Sequence, residues 1–199
     1  YIYFVFLLCC AVNLLLTNCV RQKYVVMDMV HHNPGEAMTE SKFLDPSFLK
    51  KNEYGAKVFF LFEAAQFGID WKSFDPSLFP DTTEAGRWVA EKAEIIHKKY
   101  DAAKKEDLQV YCMLDMLVLP SLLVEKHRTE LTNEQGKLDI SKPYTQLCIR
   151  ELMKEMFETF PQLDGLVIRT GETYLHDAPY YVGNHPVQNG MYDHITLIN

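Results

Sequence analysis

Leu163-Asp-Gly-Leu-Val-Ile-Arg-Thr-Gly-Glu-Thr-Tyr174 is the segment on which the fold turns. Leu166, Val167 and Ile168 are apolar on successive rather than alternate residues, and Arg169, Thr170, Gly171 and Glu172 follow at once. A strand covered on both faces needs that pattern, so it predicts a parallel sheet. Three earlier segments read the same way: Tyr24 to Val30, Lys57 to Phe62 and Gln109 to Leu114. Helical segments lie between them. One runs from Pro46 to Asn52, started by Asp45-Pro46 and stopped by Gly55. A long amphipathic helix from Glu84 to Lys105 is expected to turn Trp88, Ala90, Ile95, Ile96 and Tyr100 inward and Glu91, Lys92, Lys98 and Lys99 to water. A short helix follows Pro120, then a polar loop at Thr132 to Lys137. Ser141-Lys-Pro143 opens a helix to about Phe160, and His194 to Ile198 looks like the start of another.

Four successive βα units make the expected fold class α/β, a parallel (β/α) barrel of TIM type that is incomplete. An eight-stranded barrel needs roughly 250 residues, and the roughly 175 residues from Lys23 onward account for half of one. The domains expected are an export signal or lipoprotein-type anchor over 1–22 and the amino-terminal half of a catalytic barrel over 23–199. The rival, a doubly wound open sheet, lacks its Gly-rich phosphate loop, because Val30-His-His-Asn-Pro-Gly35 follows strand one.

The 199 residues are 48% hydrophobic and 24% charged, an ordinary globular balance with one sizeable core. With a formal charge of −7 and no basic stripe, nucleic acid is excluded as a partner. The apolar run from Tyr1 reaches Arg21 without a formal charge. It has the composition of an export-signal core or short membrane anchor from which the first few residues are missing. Leu16-Thr17-Asn18-Cys19 resembles the box before a lipid-modified bacterial Cys, although Asn18 replaces the usual small residue. The expectation is an exported protein, periplasmic or on the outer surface, attached to membrane through this segment by a lipid on Cys19. The bland alternative is a hydrophobic strand or helix of the fold. Cys112 and Cys148 lack metal-ligand spacing and read as small core residues.

In a barrel the polar residues at strand carboxyl ends converge. They are His31, His32, Asn33 and Glu36 after strand one, Glu63 and Gln66 after strand two and Asp115 after strand three. Arg169, Glu172, Tyr174 and His176 follow strand four. Phe160 to Tyr174, and more loosely His31 to Glu36, resembles the corresponding segment of barrel glycoside hydrolases, particularly the α-glucuronidase type and related polysaccharide-degrading enzymes. The resemblance implies that Glu172 is the general acid, a carboxyl whose proton affinity rises in a partly dry pocket. It also implies that the second catalytic carboxylate comes from a later strand, so activity is expected of the parent protein and not of this chain alone. Against Glu172 as a catalyst stands a solvated loop carboxylate or a structural partner of Arg169.

Arg169 either binds a substrate carboxylate or hydroxyl or holds a neighbouring carboxylate ionised. Glu63 and Asp115 bind sugar hydroxyls or pair with a nearby Arg or Lys. Trp71 and Tyr174, in loops, are the candidate stacking platforms, and the loop with His176, Tyr180, Tyr181, Asn184 and His185 reads as substrate-facing. Adjacent His31 and His32 point to opposite sides of an extended segment, so the His-x-His of a barrel metallohydrolase is absent; neither metal nor cofactor is expected. The expected function is glycoside hydrolysis on poly- or oligosaccharides. The alternatives are a non-catalytic exported glycan-binding lipoprotein and a metal-dependent hydrolase.

Overall fold

The computed structural model describes residues 27–28, 42–60, 63–170, 173 and 178–198. The strands are β1 (Met27–Asp28), β2 (Ala56–Phe59), β3 (Gln109–Asp115), β4 (Val118–Pro120), β5 (Gly165–Arg169) and β6 (Tyr181–Gly183). The helices are α1 (Pro46–Lys51), α2 (Glu84–Lys105), α3 (Ser121–Lys126), α4 (Arg128–Leu131), α5 (Pro143–Thr159) and α6 (Met191–Ile198), with 3-10 turns at Lys42–Leu44 and Ala65–Phe67.

Local chemistry sets the helix ends. Thr83 caps α2 by accepting from Gly86 N at 3.0 Å, and Lys104 and Lys105 sit in its last turn, where the helix dipole favours cations. Its buried stripe is Val89, Ile96, Tyr100 and Ala103; Ile95 is exposed and so is Ala90, so the inward face is rotated from the expected one. Pro143 starts α5 with its fixed φ. Ser141 does not cap α5; its hydroxyl donates to Asp139 Oδ1 at 2.7 Å in a local turn.

The strands β1, β2, β3 and β5 form one parallel sheet in that order. Successive residues alternate between two apolar clusters, as the sequence pattern requires. Phe59, Val110, Cys112 and Leu114 pack with Val89, Ile96 and Tyr100 of α2 and Leu152 and Met156 of α5. On the opposite face Val58, Phe60 and Met113 form a second cluster with Tyr111 and Val167 against it. Tyr111 and Gly165 share a rung, and a Cβ added to Gly165 would lie 2.8 Å from the Tyr111 ring. The missing side chain of the glycine is the space that the ring fills.

The expected TIM-type (β/α) barrel is not formed. Closure requires about eight tilted strands, whereas here three parallel strands of 4, 7 and 5 residues and one of 2 make an open sheet. In addition β4 and β6, which fall in segments expected to be loop, pair antiparallel in a separate two-stranded ribbon, Pro120 opposite Tyr181. The architecture is an open α/β sheet with helices on one face and a ribbon beyond its carboxyl edge.

Candidate functional site

Parallel strands present their carboxyl ends to one side, and in open α/β sheets ligands bind outside that edge. There Asp115 closes β3, Arg169 closes β5 and Phe60 follows β2 directly. Asp115 and Arg169 are direct register partners, with Arg169 Nη1 3.4 Å from Asp115 Oδ1. The Arg169 guanidinium carbon lies 5.0 Å from the centroid of the Phe60 ring. The pair is sequestered, the side chains being 2% (Asp115) and 16% (Arg169) exposed. An ion pair in that setting outlasts salt screening and fixes the orientation of both groups. Phe60 is buried, and its place under Arg169 follows from the strand alternation that puts it on the face of Val58, Met113 and Val167.

Glu63 goes elsewhere. Its carboxylate pairs with Lys99 of α2, and Tyr100 Oη donates to its carbonyl oxygen at 3.0 Å. Gln66 is fully buried, and Tyr181 Oη donates to its carbonyl at 3.2 Å. Trp71 is no stacking platform: it is fully buried, edge-on to Phe74 at 6.0 Å between centroids. Tyr181 is also core, packed on Phe67 and Phe79. His31, His32, Asn33, Glu36, Glu172, Tyr174 and His176, together with the segment over 1–22, lie outside the described residues.

Asn184 does not face outward as a ligand group. Its side chain accepts from Leu138 N at 2.7 Å and donates to Leu138 O at 3.1 Å, which ties the loop after β6 to the loop before α5. Gln188 adds a donation to Leu138 O at 2.6 Å and accepts from Asn133 Nδ2 at 2.9 Å. A cleft of about 310 Å³ opens beside these amides, lined also by Gln135, Lys137 and His185. A larger apolar groove of about 950 Å³ lies between α5, the end of β5 and α6, with Ile149, Met153, Ile168, Ile195 and Leu197 among its walls.

The described cysteines are poor nucleophiles. Burial pushes the Cys112 thiol up to about 11 and the Cys148 thiol up to about 12, and both are free and buried. Among the described residues no three His, Cys, Asp or Glu side chains converge to hold a metal ion. Nor is any helix among them long and apolar enough to cross a membrane. No protein-family model matches the chain, and neither curated proteins nor solved structures contain a match.

Proposed function

We propose that the protein is a glycoside hydrolase that acts on poly- or oligosaccharides, with Glu172 as general acid. What carries the proposal is the Asp115–Arg169 pair at the carboxyl ends of adjacent parallel strands, where a polar ligand docks in this class of sheet. Glu172 stands three residues beyond Arg169. General-acid chemistry needs a carboxyl that keeps its proton long enough to deliver it to a departing glycosidic oxygen, and Glu172 is the carboxyl that the sequence puts next after Arg169. Asp115 orients Arg169, and the pair offers hydroxyl-binding charge at the strand ends. Export through the apolar segment before Arg21 fits an enzyme that meets its polysaccharide outside the cytoplasm.

The test is incubation of neutral and uronic-acid oligosaccharides with the product of the complete reading frame and with its Glu172→Gln variant. Cleavage by the first and loss of orders of magnitude by the second support the proposal. Binding without cleavage by either would assign the protein to glycan capture instead, and cleavage that survives the substitution would move the acid elsewhere.

A further inference from the structure

The cleft of about 310 Å³ between the loop before α5 and the loop after β6 has a wall that is fixed and a polar lining that carries the Lys137 ammonium group. The wall is fixed because Asn184 and Gln188 both spend their amides on Leu138 and Asn133, at 2.6 to 3.1 Å. His185 Nδ1 accepts from Val187 N at 3.0 Å, which orients the imidazole and leaves Nε2 as its remaining hydrogen-bonding atom. Among the described residues, Val187 is the one apolar member of a lining otherwise made of Gln135, Lys137, Asn184, His185 and Gln188, and no carboxylate takes part. In a chain of net charge −7, a cleft walled by a lysine, a histidine and amides is a local reversal of sign.

It also lies at the functional end of the sheet. Asn184 N donates to Leu117 O at 3.1 Å, two residues beyond Asp115. The Gln135 amide and an imidazole match sugar hydroxyls, and an ammonium group matches an oxyanion. We infer that this cleft is a glycan subsite that recognises an acidic substituent, a carboxylate or a sulfate, through Lys137 and His185. The inference rests on the glycan reading and gives it a substrate class.

Calorimetric titration of the full-length protein with trigalacturonate, a sulfated maltotriose and neutral maltotriose tests it. Lys137 and His185 are exposed, so Lys137→Met and His185→Gln leave the fold intact. At least one acidic trisaccharide is expected to bind at least about tenfold more tightly than maltotriose, a difference lost in Lys137→Met and reduced in His185→Gln and at 0.5 M salt, roughly as one lost charge contact requires. Which acidic probe wins tells carboxylate from sulfate. Equal affinity for neutral and acidic probes, or no acidic binding, overturns the subsite, as does acidic binding indifferent to Lys137→Met. None of these touches Glu172-dependent cleavage, which tests the glycan reading separately.

Discussion

Asp115 and Arg169 occupy one rung of adjacent parallel strands and meet at 3.4 Å where exposure falls to 2% and 16%. Removing one member places a lone charge where water is scarce. Arg169→Met is expected to destabilise the fold by about 3 kcal/mol, whereas Asp115→Leu combined with Arg169→Met recovers most of the loss. Urea denaturation of the two single variants and the double reads this directly. Additive losses in the double would show that the pair is not coupled.

Tyr111 fills the space over Gly165, so Gly165→Ala forces its ring aside from a built Cβ at 2.8 Å. The expected loss is about 1–3 kcal/mol, the range for overpacking. Trimming the ring in the double variant Tyr111→Ala, Gly165→Ala makes the added methyl harmless. A glycine substitution that costs the same in the Tyr111→Ala background contradicts this packing.

Much of the scaffold was legible in the sequence. The amphipathic pattern placed α2 at Glu84 to Lys105, where it lies, and the apolar runs located β2, β3 and β5 to within a few residues. The carboxyl-end rule singled out both Asp115 and Arg169. Long-range geometry was not legible. Val118-Leu119-Pro120 looked like the approach to a helix, because its antiparallel partner lies at Tyr181–Gly183 and nothing local announces that pairing. Trp71 sits in a loop, which suggested exposure, yet Phe74 covers it and it is fully buried. Glu63 lies four residues beyond the end of β2 rather than at a strand end, and its partner Lys99 comes from a helix 36 residues away. The count of four βα units suggested half a barrel, although strand lengths and sheet closure are tertiary properties that such a count does not contain.

Two carboxylates are expected to give opposite pH dependences. The Lys126 ammonium and the Ser77 hydroxyl hold Asp75 down at about 2. Its contribution is therefore present above its ordinary value near 4 and lost as the pH falls towards 2. Because Asp75 and Lys126 are partly solvated, about 1 kcal/mol is expected, so Asp75→Asn should cost that at pH 7 and almost nothing at pH 2. Glu155 is raised by burial, with Ser73 Oγ donating to it at 2.5 Å as a partial offset. Its ionised form is penalised by folding, so stability falls as the pH rises through its folded value, and Glu155→Gln removes that slope. Denaturation of both variants from pH 2 to 8 checks the two signs.

Burial of Cys112 and Cys148 predicts that iodoacetamide at pH 8 leaves both unmodified in the folded protein and modifies both in urea. Peptide mass spectrometry distinguishes them from the amino-terminal cysteines. Rapid native labelling of Cys112 would mean that the interface between the sheet and α2 opens readily.

Delivery of a proton by Glu172 to the leaving oxygen, as proposed, is tested most directly by leaving-group dependence. The full-length Glu172→Gln variant is expected to lose about 10²–10⁴ in kcat/KM on the natural oligosaccharide yet to retain most of its rate on a dinitrophenyl glycoside, whose leaving group needs no protonation. Equal loss on both substrates, or none on either, would contradict the assignment of Glu172 as the acid.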